Sequence, residues 1–280
     1  MNDLHFKTMT RKSIFADFVD NYFGPTTNVK SFFHYTTLDA LCNGIIDSNP
    51  NEGHEFCLRA SRCDFMNDPD EVKYGVKFLC KHFEQLAIQS NPNLSPETDF
   101  SGYEKEMYKQ WKIRYLLSLS ANGDSLPMWN AYANQATGVA IELKRFCAPN
   151  DKDLVLRCFY DDEELKRILI SDNKSNDEHL SCIQRIVTMH APLMLKHPAY
   201  KYEEEIRLIG LFNDIPTKVR YKNGVSIPYK EIFFKKEQIQ SIKIGPAADS
   251  FKVKKLLKAF LKERGLEIPI KVSNIPYRYL

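Results

Sequence analysis

In the stretch YEEEIRLIG, over 202–210, two acids and an arginine stand two residues apart. Read as a strand, side-chain alternation puts Glu203, Glu205 and Arg207 on one face and Glu204, Ile206 and Leu208 on the other. Carboxylates beside a guanidinium can stabilise a developing positive charge or, with further acids, hold a divalent cation. The same pattern fits an edge strand whose charged face compensates itself in water. The run alone leaves those two readings even.

A second group comes early. In FFHYTT, over 32–37, two apolar rings lead into His34, Tyr35 and Thr36. A histidine delivered at the end of a strand either packs in the core or faces a ligand. In NDPDE, over 67–71, Asp68 reads as a helix N-cap, Pro69 as the first helical residue and Glu71 as the return partner of a capping box. Asn67 is left over by that reading. In PMWNAYA, Trp129 and Tyr132 are three apart on one helical face. They fill core or form an aromatic wall for a base or a nicotinamide ring.

The elements that must position these residues follow from periodicity. Phe15, Phe18, Val19 and Tyr22 predict an opening helix that ends near Gly24–Pro25. SFFHY and EFCLRA are strands, with Thr36 or Thr37 capping the helix between them. Val72, Val76, Leu79, Phe83 and Leu86 stripe a long helix after NDPDE. A second helix is expected over about 104–111. RYLLSLS, VAIEL, LVLRCFY, EEEIRLIGLF, IQSIKIG and IPIKVSN are further strands, and LPMWNAYANQ is a short helix. The pattern over 163–196 is helical with a bend at Pro192, and Asn223–Gly224 carries turn chemistry. Strands and helices do not alternate regularly. The expectation is an α+β fold, with a mixed or mainly antiparallel, possibly split, sheet flanked by helices. Residues 1–30 read as a helical extension, 31–280 as a single domain, and 160–198 as a helical insertion in it.

Composition narrows the field. The chain has 280 residues, 43% hydrophobic and 27% charged, with net charge +3. Apolar runs stop at about five residues, far short of a membrane span. The N-terminus lacks an apolar signal core, so a cytoplasmic protein is expected. Seven cysteines with no C-x-x-C fit reduced, mostly buried thiols, and no metal site is expected. The lysines of FKVKKLLKAFLKERG read as the solvated face of an amphipathic helix. G-x-S-x-G, P-loop, H-E-x-x-H and G-x-G-x-x-G are all absent, which disfavours the commonest hydrolase, nucleotide-phosphate and Rossmann chemistries.

Taken in order, FHYTTL, NDPDE, SLS…MWNAYA…GVAIE and EEEIRLI resemble the largely bacterial family called domain of unknown function 2971, over about residues 31 to 280. Lys196 and Tyr200 ahead of the acidic strand also fit that family. More remotely, H-Y-T with a helix behind it and the late E-E-E strand resemble ADP-ribosyltransferases, which bind NAD in a split antiparallel sheet. That resemblance implies NAD as the substrate. It implies that His34 bonds the nicotinamide-side ribose and that Glu205, or else Glu203, binds the ribose 2′-hydroxyl and stabilises charge at the anomeric carbon. Tyr35, Thr36, Asn67, Trp129, Tyr132 and Arg207 would complete the dinucleotide site. An activity of this kind suits a toxin or an antiphage defence effector, with a protein or nucleic-acid acceptor and no membrane partner. Two departures stand out. No tyrosine stands in the second strand where the histidine-type enzymes place an aromatic, Phe56 being the nearest substitute, and SLS at Ser118–Ser120 matches only loosely the S-T-S of the arginine-type enzymes.

Two other functions compete. A metal-dependent nuclease would hold Mg²⁺ on Asp68, Glu71, Glu203 and Glu205, although no lysine adjoins the acidic pair in sequence. A non-catalytic nucleotide- or protein-binding module would keep Trp129 and Tyr132 and survive loss of Glu205. For a transferase, Glu205→Gln is expected to abolish turnover while leaving the melting temperature nearly unchanged.

Overall fold

The computed structural model describes residues 29–46, 55–91, 101–144, 154–170, 188 and 190–277. The opening helix expected within 1–30, most of the loop over 91–102 and the middle of the insertion, 171–187, lie outside the described residues.

The fold is α+β. Its strands are β1 (Ser31–Thr36), β2 (Phe56–Arg62), β3 (Tyr115–Ser120), β4 (Val139–Lys144), β5 (Leu154–Arg157), β6 (Glu205–Gly210), β7 (Lys218–Lys222), β8 (Val225–Phe234), β9 (Ile239–Ile244) and β10 (Ile270–Val272). They join one open sheet in which, among the described strands, only β9 and β10 pair in parallel. The helices are α1 (Leu38–Ala40), α2 (Lys73–Ser90), α3 (Ser101–Trp111), α4 (Leu126–Tyr132), α5 (Asp162–Ile170) and α6 (Ser250–Glu263). The Thr37 hydroxyl caps α1 by accepting from Ala40 N. The β7–β8 hairpin turns on Asn223 and Gly224, both at positive φ, as a tight two-residue turn demands.

β3 is where the sheet forks. Along one edge it pairs with β6 at every residue. The other edge is shared: β2 pairs with Tyr115 and Leu116, whereas β1 pairs only with Ser120. Between those contacts β1 and β2 diverge, and a wedge opens beside Leu117–Leu119. The sheet is therefore split, as the sequence reading allows.

Each face buries its own core. Phe32, Leu58, Leu117, Ile141, Ile206 and Ile242 meet Leu257 and Leu261 of α6 on one side. Leu116, Leu156 and Ile209 meet Val76 and Leu79 of α2 and residues 191–195 on the other. The predicted α2 stripe holds through Leu79 and fades at Leu86, which is 41% exposed. Gly75 is the closest approach in this second layer. A Cβ there would lie 2.7 Å from both Ala191 O and Pro192 Cα. Backbone cannot retreat as a side chain can, so Gly75→Ala is expected to cost about 1–3 kcal/mol. Urea unfolding checks this: the midpoint falls while the slope is kept.

Candidate functional site

β6 is not an edge strand. It lies between β3 and β5 and all six of its residues are buried. It also begins later than alternation suggests, at Glu205. Glu203 ends a 3-10 turn (Pro198–Glu203) and Glu204 is left-handed, with φ 42°. That kink sends Glu204 outward, where it accepts from Asn122 Nδ2, and turns Glu203 back inward. The Ser120 hydroxyl holds the kink by donating to Glu203 O at 2.7 Å. Glu203, Glu205 and Arg207 thus reach the same side, as expected, but through a left-handed turn instead of a continuous strand.

Five buried charges meet there. Arg207, with no exposure, sets its Nη2 2.6 Å from Glu71 Oε1 and 2.9 Å from Glu205 Oε2, and its Nη1 donates to Leu193 O at 2.8 Å. Lys196 Nζ bridges Glu203 Oε2 at 2.5 Å and Glu205 Oε2 at 2.9 Å. The Tyr132 hydroxyl donates to Glu203 Oε1. Glu203 is thereby occupied at both oxygens. Glu205 Oε1 has no hydrogen-bond partner of ordinary geometry and neither has Ser118 Oγ close by, though that hydroxyl still helps keep Glu205 ionised.

Glu71 does not act as the capping partner predicted for it. Asp68 accepts from Asp70 N in a local turn, α2 starts only at Lys73, and the Glu71 carboxylate goes to Arg207. Val72, between them, sits at φ 72°, a costly conformation for a β-branched residue. Burial raises Glu71, against the pull of Arg207. For Glu205 burial also pushes upward, but Arg207 and Lys196 win and hold its carboxyl well below the usual range. The same carboxylates hold Lys196 well above its usual value, against burial.

A hollow of about 140 Å³ opens above Glu203 and Glu205, walled by His34, Tyr35, Asn67, Ser118, Tyr132 and Lys196 among others. Register puts His34 on the sheet face opposite Glu205, because its neighbour Phe33 pairs with Ser120, which pairs with Glu205. Both line one hollow because the wedge between β1 and β3 lets the imidazole through. The ring is hydrogen-bonded to the Ser118 backbone, and burial pushes its pKa down to about 4 despite that bond. Tyr132 and Asn67 meet above Glu203. Thr36 and Trp129 lie outside the wall. Trp129 is wholly buried against Tyr35, its indole N–H donating to Asp124. Arg207 stands behind Glu205, out of reach of a ligand. The sequence grouped Glu71 with Glu203 and Glu205 only as a ligand set for Mg²⁺, and it did not join Lys196 to them. The signal available was that Arg207 and Lys196, in apolar surroundings, each need a carboxylate.

Formally, Asp68, Glu71, Glu203 and Glu205 against Lys196 and Arg207 leave two negative charges in excess. If Glu71 keeps its proton, one remains. The hollow favours a cation or a group that becomes one. Among the described residues no three His, Cys, Asp or Glu side chains group as metal ligands. Glu71, Glu203 and Glu205 are already paired with Lys196 or Arg207.

Neutral His34 makes the site acid-sensitive. Its folded pKa is below the unfolded value of about 6.5, so the unfolded chain takes the proton first as pH falls. His34 therefore costs nothing above pH 6.5 and destabilises progressively down to pH 4, by about 1–3 kcal/mol for a half-buried ring. Urea unfolding at pH 7, 5.5 and 4 should show wild type losing that much more than His34→Asn. Parallel losses would contradict the assignment.

The comparisons cover part of this cluster. A family model described as "Protein of unknown function (DUF2971)" matches residues 128–208, from within α4 to within β6. No curated protein and no solved structure matches the chain. The matched stretch carries Tyr132, Lys196, Glu203, Glu205 and Arg207, while His34, Asn67 and Glu71 come from outside it. Among the described residues no helix is long and apolar enough to cross a membrane. Over residues 128–208, which supply Lys196, Glu203 and Glu205 of the hollow, the chain is similar to DUF2971.

Proposed function

We propose that the chain breaks the glycosidic bond of NAD, as an ADP-ribosyltransferase or NAD glycohydrolase. The observation that carries this reading is the Glu205 carboxylate: held ionised by two cations and the neighbouring Ser118 hydroxyl, in a hollow that His34 and Tyr132 also line. In the reaction the bond between the anomeric carbon and the pyridinium nitrogen breaks, its electron pair neutralises that nitrogen, and the sugar becomes oxocarbenium-like. A fixed carboxylate stabilises that charge without reorganising. Nicotinamide leaves neutral, so an acid is not required, consistent with a histidine that stays unprotonated at pH 7.

Size refines the reading. At about 140 Å³ the hollow is smaller than the ~300–1,000 Å³ of sites that enclose a whole ligand. It takes one ring-sized group, the nicotinamide end, and the adenosine half lies along the open side near Asn67, which is exposed. Glu205 is the better candidate than Glu203, whose two oxygens are already bonded. The nuclease reading loses ground for the same reason, since Mg²⁺ would have to displace Lys196.

Purified protein incubated with NAD should release nicotinamide, and Glu205→Gln should lower the rate at least 100-fold. That variant no longer leaves the melting temperature unchanged as an expectation: it strips a partner from two buried cations and is expected to destabilise by about 3–5 kcal/mol. Tyr132→Phe removes only a hydroxyl and serves as the second probe, slowing release about tenfold with the fold kept. Wild-type protein that releases no nicotinamide would overturn the proposal.

A further inference from the structure

One wall of the hollow is held from outside it. Tyr35, Met128 and Tyr132 stand in that wall, and the last two come from α4. A helix of seven residues does not hold its shape alone. It also exits through Asn134, Gln135 and Ala136, three consecutive residues at positive φ, a conformation that costs energy for residues with a side chain. At the entry stands Asp124. Its Oδ1 accepts from the Trp129 indole N–H at 2.8 Å and from the Ser273 hydroxyl at 2.6 Å, and its Oδ2 accepts from Asn274 N at 3.1 Å. Lys243 of β9 lies 3.7 Å from Oδ2. Burial pushes the Asp124 carboxyl up, but the Ser273 and Trp129 hydrogen bonds outweigh it, and the group sits below its usual range. Ser273 and Asn274 lead out of β10, and beyond them Ile275 and Tyr277 pack on the cluster of Tyr35, Met128 and Trp129. The loop that carries Asp124 fixes Tyr35 as well, whose hydroxyl donates to Asn122 O at 2.8 Å and accepts from Ser125 N at 3.1 Å.

We propose that Asp124 is a positioning residue for the reaction at Glu205: it clamps the segment after β10 to α4 and so sets the Tyr132 hydroxyl on Glu203. Asp124 is not in the wall of the hollow and reaches it through Trp129, which shares α4 with Tyr132. The local turn is already closed without the carboxylate, by Asp124 N donating to Asn122 Oδ1 and by the two Tyr35 bonds. The bonds to Ser273 and Asn274 span 149 and 150 residues, so what they fix is α4 against the end of β10. The catalytic consequence rests on the NAD reading, whereas the clamp itself does not.

Fluorine NMR of the full chain labelled with 3-fluorotyrosine tests the clamp, the Tyr132 line being assigned by its loss in Tyr132→Phe. Asp124→Asn should move that line, because an amide accepts at one of the two positions where the carboxylate accepts at both. Nicotinamide release from NAD then tests the consequence. Asp124→Asn should slow it about tenfold. Adding Asp124→Asn to Tyr132→Phe should slow release at most about threefold further, because both changes act through the same hydroxyl. Ser273→Ala removes a single donor and should move the same line while slowing release about twofold. Wild-type protein without release would overturn the NAD reading and leave the fluorine line to decide the clamp. A Tyr132 line unmoved in both variants would overturn the clamp. So would a double variant about 100-fold slower than wild type, the product that two independent defects give.

Discussion

Arg207 carries a full positive charge with no exposure to water, and much of the architecture is what that charge requires. An unpaired guanidinium in such a place costs more than most single contacts return, so both of its Nη groups find acceptors, while Nε is left without one among the described residues. Glu205 comes from its own strand, Glu71 from the turn before α2, and the Leu193 carbonyl from the segment packed on α2. One side chain thereby ties three separate parts of the chain together. Lys196 repeats the device a few ångströms away, and the two cations decide that Glu205 stays ionised.

The fork in the sheet turns this ion cluster into a site. Had β1 paired along the whole of β3, His34 would face the opposite core and the carboxylates would sit beneath a closed ladder. Because β1 touches β3 only at Ser120, the imidazole and Glu205 share a hollow from opposite faces. Strain gathers around the same place. Val72 and Glu204 both have positive φ and both adjoin an acid of the cluster. The backbone is bent where the charges must point inward.

Much of the fold was readable from the residues because its signals are local. Thr37 caps α1, Asn223–Gly224 makes the expected turn, and β1, β3 and β9 run where strands were expected, whereas β7 and β8 on either side of that turn were not read as strands. The site was readable in part. Glu205 and Arg207 share a face because strands alternate, and Glu203 joined them for a reason alternation does not contain, the left-handed residue at Glu204. NDPDE misled because a capping box is a complete local explanation of its residues, whereas the Glu71 partner lies far along the chain at Arg207. Trp129 and Tyr132, three apart on a short helix, divide between core and hollow. A three-residue step brings side chains near without aiming them at one target.

The central claim is that the hollow is anionic and selects a cationic ring. NAD carries a charged pyridinium and NADH a neutral dihydropyridine of nearly the same shape. Calorimetry with carba-NAD, which cannot release nicotinamide, against NADH isolates that difference. At least tenfold tighter binding of the charged ligand, lost in Glu205→Gln, is the predicted result; equal affinity for the two would contradict it.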